Sequence, residues 1–159
     1  MIALTNNTHI IYKHLTHADL WSHIAEDGIS EYDFIPPTGS NIKWLLFSSV
    51  TESNILDGVV RIDINNMTSF TFHPYMHKSA RIHKEQMIKE LYELMFNNTS
   101  FKKCFVEFPS FMDHLKLFSV RMGMKYEATL KDCFMKDGEL HSNDMYGIKK
   151  EQALKIGEA

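Results

Sequence analysis

Glycine is missing from a long central part of this chain: none occurs between Gly58 and Gly123. A phosphate loop whose backbone is bared by glycines is therefore excluded from that region. Cysteine is nearly absent too. Cys104 and Cys133 stand alone in strand-like contexts, without the Cys-x-x-Cys spacing of redox or zinc sites, and they fit the reduced thiols of a cytosol. No apolar run reaches the roughly 20 residues that span a bilayer. The N-terminus MIALTNNTH lacks the basic start and apolar middle of a secretory signal. These absences together predict a cytoplasmic protein with no membrane partner. A net charge of -3 argues against general affinity for nucleic acid. Internal repeats and low-complexity tracts are absent. The nine histidines are scattered; His73, His77 and His83 have no carboxylate or thiol at ligand spacing, so no metal site is expected.

What is present describes one ordinary globular domain. The 159 residues, 44% of them hydrophobic, are enough to bury a core. Residues 10–12 form a short apolar run, read as a first strand. Thr16, with Asp19 three residues on, reads as a helix cap, followed by the stripe Leu20, Trp21, Ile24, Ala25 and a stop at Gly28. Residues 29–41, with Pro36, Pro37 and Gly39, read as a connection. Residues 42–50, 55–64 and the strand of Phe70 and Phe72 follow in an antiparallel meander, with turns at 51–54 and at Asn65-Asn66. Residues 1–150 are taken as the domain, and 151–159 as a weakly held tail.

The organising stretch is 69–124. Its strand is followed by a knot of positive residues: His77, Lys78, Arg81, His83 and Lys84. The longest helix of the chain comes next, with Met87, Ile88, Leu91, Leu94 and Met95 at helical spacing and Asn97-Asn98 at its end. Residues 104–108 form a strand reached by crossover, parallel to its predecessor. Phe111, Leu115, Phe118 and Met122 mark a second helix capped by Gly123. Tyr126, Ala128 and Leu130 alternate in the next strand, Asp137-Gly138 is a hairpin turn, and 145–148 is the last strand. A basic turn before a helix N-terminus is where proteins hold anions, because the first backbone amides are unpaired.

This order of elements, with Ser110, the apolar helix ending Arg121-Met122-Gly123-Met124, then Tyr126-Glu127-Ala128, Asp137-Gly138 and Tyr146-Gly147-Ile148, resembles the GNAT (Gcn5-related N-acetyltransferase) superfamily over roughly residues 9–150. The resemblance implies an α+β fold: a mixed, mostly antiparallel sheet of about six or seven strands, flanked by helices, with a splayed parallel pair. It also implies acetyl-CoA or CoA as cofactor, held by the turn Lys78, Ser79, Ala80, Arg81, Ile82, His83 and Lys84. In the family that turn carries glycines. Here cations take their place, and Lys and Arg themselves bind phosphate. The family's proton-donating tyrosine falls on Ser119, a weaker acid, and His73 and Glu107 are the candidate bases, with Asp63 behind them.

The glycine-free turn on an intact frame also resembles small GNAT-like proteins of tailed bacteriophages. That resemblance implies a head-assembly or virion accessory factor that works on protein partners, other virion components among them, with weakened or lost acyl-CoA chemistry. The alternative is an active acetyl-CoA-dependent N-acyltransferase acting on a protein or a small amine. Edge strands of the C-terminal hairpin leave a homodimer open.

Overall fold

The computed structural model describes residues 1–49 and 56–159. The expected turn at 51–54 and the expected strand ends at Val50 and Ile55 lie outside the described residues. Strand β1 (Ile2–Thr5) opens the chain, and helices α1 (Thr8–Leu15) and α2 (Ala18–Ile24) follow. The run 10–12 is thus helical, not the first strand. Asn7 caps α1 by accepting from the Ile10 amide, and the i, i+4 pair Ile11 and Leu15 is buried, a helical period that a three-residue window cannot reveal. Thr16 closes α1, its hydroxyl donating to the Tyr12 carbonyl at 2.8 Å. The cap of α2 is His17, whose ring accepts from the Asp19 amide, so the expected Thr16 cap is replaced by its neighbour.

Strands β2 (Ile42–Phe47), β3 (Gly58–Ile64) and β4 (Ser69–Met76) form the expected antiparallel meander. A 3-10 helix (Lys78–His83) and α3 (Lys84–Asn98) then cross over to β5 (Lys103–Pro109), which pairs with β4 in parallel. Helix α4 (Asp113–Arg121) follows, and Gly123, at φ +82°, turns the chain out of it. Phe111 lies before α4, half exposed against His141. The long hairpin of β6 (Lys125–Lys136) and β7 (Glu139–Lys149) turns at Asp137-Gly138, both residues at positive φ, the conformation of a tight type I′ turn. β7 starts six residues before the expected 145. Apart from the exposed Leu140, residues 139–144 are polar, so they carry no apolar alternation to mark them.

The sheet has seven strands in the order β1-β2-β3-β4-β5-β7-β6. The larger core lies on one face, where Phe70, Phe72, Val60, Ile62, Cys104 and Val106 meet α3 and Met122. On the other face α1 covers Trp44 and Val59 with Ile11 and Leu15. The chain ends in helix α5 (Lys150–Glu158), not in a loose tail. Ala153 of α5 is fully buried, and Leu154 and Ile156 pack on the larger core. Three apolar residues among charged ones were too few to signal this from sequence. Among the described residues no helix is long and apolar enough to cross a membrane.

Candidate active site

β4 and β5 pair in register only from Ser69 with Lys103 to Phe72 with Val106. β4 runs on to Met76 and β5 to Pro109. Beyond Phe72 the strands diverge, each keeping only its outer neighbour: His73 pairs with Arg61 of β3, and Glu107 with Met145 of β7. A cleft of about 630 Å³ opens in the gap.

Strand alternation gives the cleft two different walls. On the α3–α4 face it is lined by Phe72, Val106, Phe108, Leu115, Phe118 and Met122, with Ser119 of α4 beside them. Phe72 and Phe108 flank the opening, Phe108 stacked on Tyr146 with ring centroids 5.5 Å apart. The α1 face carries the polar groups Arg61, Asp63, His73, Tyr75, Glu107 and Asn143, with Phe105 and Met145 among them.

The polar wall is wired. Arg61 Nε and Nη2 donate to the two carboxylate oxygens of Asp63 at 2.9 and 2.6 Å, a bidentate pair. His73 Nε2 lies 2.9 Å from Asp63 Oδ2. Burial works against the Asp63 charge, but the hydrogen bonds from His73 and Arg61 outweigh it and hold the carboxyl at about 2. Glu107 Oε1 accepts from Asn143 Nδ2 at 2.9 Å. The Asn143 Oδ1 is buried and has no partner among the described residues. Burial raises the Tyr75 phenol pKa, Arg61 lowering it and the carboxylates of Asp63 and Glu107 raising it further, so the phenol stays protonated at neutral pH.

A second electrostatic feature flanks the apolar wall. The Lys84 ammonium sits 4.5 Å above the Phe118 ring, and the Arg121 guanidinium lies 5.3 Å from it. Arg121 also reaches Glu85 at 3.7 Å. Desolvation, then Arg121 and Arg81, lower the pKa of Lys84. Desolvation, then Arg81 and Lys84, do the same to His114. Arg81, Lys84, His114 and Arg121 thus crowd the start of α3, where no side chain caps the helix. The 3-10 helix runs straight into α3, the Lys84 amide donating to the Arg81 carbonyl, so it is the mutually repelling cations that make a place for an anion.

No family model and no curated protein matches the chain. Solved structures do. The spermidine N-acetyltransferase of Vibrio cholerae in complex with CoA and spermine superposes with a TM-score of 0.77 over 97% of each chain, at 12% identity. The same enzyme with manganese ions gives 0.73 over 98% of this chain and 95% of that one, at 10% identity. The protein smu.2055 of Streptococcus mutans gives 0.66 at 14% identity, over 94% of this chain and 99% of that one.

The chain has the GNAT fold. Against the expectations for that fold, the structure gathers Ser119, His73 and Glu107 around one cleft, with Asp63 behind His73. Lys78, Ser79, Ala80, Arg81, Ile82, His83 and Lys84 lie at the start of α3, and none of them lines the cleft. Lys78 to His83 wind into a 3-10 helix with Ala80 buried and Ile82 83% exposed. Without glycine the backbone takes an ordinary helical path, where a GNAT turn would bare its amides. Tyr75, Arg61 and Asn143 were missed. Tyr75 and His73 share a strand face at spacing two, a signal that was present. Asn143 had none, since its strand is not apolar there.

Proposed function

We propose that the protein is an acyl-CoA-dependent N-acyltransferase. The observation that carries this reading is the split between β4 and β5, with an apolar wall on one face of the sheet and a hydrogen-bonding wall on the other. Such a passage fits a flexible thioester arm on the apolar side and an amine on the polar side. The two Vibrio cholerae structures support the same reading, being N-acetyltransferases by name.

The residues fit the cofactor in two places. Phe72, Val106, Phe108, Leu115 and Phe118 offer a surface for the arm. Arg81, Lys84 and Arg121 offer charge for phosphates. On the amine side, the orphaned Asn143 Oδ1 offers an acceptor for an ammonium N–H. A bound acyl-CoA would supply an acyl group activated as a thioester, whose transfer to an amine yields an amide and a free thiol. Glu107 is placed to take the proton that an ammonium must lose. Asn143 Nδ2 orients its carboxylate from one side. Ser119 and Tyr75 hold hydroxyl protons beside the cleft for the departing sulfur, and burial keeps the Tyr75 proton in place at neutral pH. Arg61 and His73 fix Asp63, so the polar wall keeps its shape.

Calorimetric titration with acetyl-CoA tests this. Binding with a Kd on the order of 10 μM, displaced by CoA and weakened roughly tenfold by Lys84→Ala, is the expected result. A flat titration up to millimolar acetyl-CoA would overturn it.

A further inference from the structure

The polar half of the cleft has a roof. Helix α1 is anchored on the β3–β4 side of the split: Ile11 and Leu15 pack with Trp44 and Val59, and His14 Nε2 donates to the Tyr75 carbonyl at 2.9 Å. The far end of α2 is anchored on the other side, at the tip of the β6–β7 hairpin. Lys136 Nζ donates to the Ser22 and Ala25 carbonyls at 3.0 and 2.8 Å. The Asp27 carboxylate accepts from the backbone amides of Asp137 and Gly138 at 2.9 and 2.8 Å, and the Asp27 amide donates to the Met135 carbonyl at 3.0 Å. In the strand order, β3 and β4 lie on one side of the split and β5, β7 and β6 on the other. A segment fastened at both ends crosses the gap. Its residues 23–26 and Lys136 line the same cleft as Glu107 and Asn143.

We infer that this α2–hairpin bridge makes the acceptor a small free amine and excludes lysines on the surface of folded proteins. The inference rests on the acyltransferase reading and sharpens it. A helix is about 10–12 Å across, more than the four-carbon stem of a lysine can pass while its backbone stays in a folded surface. A free amine passes beside the bridge and presents its ammonium to Glu107 Oε2 and to the partnerless Asn143 Oδ1. The wall also limits charge on the acceptor. Asp63 is already matched by Arg61 and His73, which leaves Glu107 as the carboxylate on the strands free to meet one cation, with Glu26 at the rim.

The test measures CoA release from acetyl-CoA with small primary monoamines, and acetylation of a folded lysine-rich protein by mass spectrometry, for the full chain and for Asp27→Ala and Lys136→Met. Small amines are expected to turn over, with folded-protein lysines slower by roughly 100-fold or more. Each bridge variant is expected to narrow that ratio by roughly tenfold. Lys136→Met keeps the stem, so it reads the bridge even if Asp27→Ala fails to fold. Folded-protein lysines acetylated as fast as small amines would overturn the inference, and so would a ratio unmoved by both variants. Acetyl-CoA bound without transfer to either class also overturns it, with cofactor binding left standing. Absence of acetyl-CoA binding in the calorimeter removes the reading beneath it.

Discussion

The imidazole of His77 lies flat on that of His14, their centroids 4.0 Å apart and their planes 8° from parallel. His17 stacks on the other side of His77 at 4.4 Å. The stack joins α1 to the residue that starts the basic 3-10 helix, and His77 Nε2 closes it with a hydrogen bond to the His14 carbonyl at 3.3 Å. His14 is 4% exposed. Burial, then the neighbouring His77, lower its pKa from 6.5 to about 4, although its bond to the Tyr75 carbonyl and the Asp57 carboxylate pull the other way.

A pH dependence of stability follows. Between pH 6.5 and about 4 the unfolded chain binds the His14 proton and the folded chain does not, so stability falls as pH falls through that window. Above 6.5 the contribution is flat. The loss should total on the order of 3 kcal/mol at its limit. Urea midpoints at pH 7.5 and pH 4.5 measure it, and His14→Gln should remove most of the difference. A wild-type midpoint that does not move would refute the assignment.

Glu107 should matter to turnover and little to cofactor binding. Glu107→Gln keeps the shape and the contact with Asn143 but removes the base, so kcat/KM for an amine should fall by about 100-fold or more. The acetyl-CoA Kd should stay within about threefold, because the residue lies on the polar wall, away from the Lys84 side. Equal loss in both quantities would point to collapse of the cleft.

Asp63 should prove structural first. Asp63→Asn leaves Arg61 and His73 without the carboxylate that accepts three hydrogen bonds from them. The side chain is 28% exposed, so water relieves part of the loss, and about 1–3 kcal/mol is expected from denaturant unfolding. Asp63→Ala should cost at least as much. A neutral result for both would mean that Arg61 finds another partner.

The elements with strong periodicity were readable in the sequence, and those held by a few specific contacts were not. The alternating apolar residues of β3 and β4 and the stripe of α3 have repeating partners, and their burial follows from repetition. The order of crossover and meander then fixes which strands neighbour one another, and with that the split and the gathering of His73, Glu107 and Ser119. The bridge over the cleft depends instead on Asp27 and Lys136, more than a hundred residues apart in sequence. Neither belongs to a pattern. The basic turn was legible as chemistry but not as shape: the lack of glycine was plain, while its winding into a 3-10 helix with Ala80 tucked in depends on packing.

Helix α5 supplies the last prediction, because sequence reading took it for a tail. Its Ala153 is fully buried, and the space around Gly123 is closed by Ile156 of the same helix and Ile148 of β7. A phenylalanine at 153 has no room in this layer and must push α5 away. Ala153→Phe is therefore expected to destabilise the protein by about 1–3 kcal/mol, as overpacking does elsewhere. Ending the chain after Lys149 removes Leu154 and Ile156 from the core as well. Each buried aliphatic side chain contributes about 1.5–3 kcal/mol when fully covered, and these two are partly covered, so the truncation should cost more than Ala153→Phe. Thermal unfolding of both variants decides the matter. If the truncated chain melts with the full-length protein, α5 is not part of the cooperative unit.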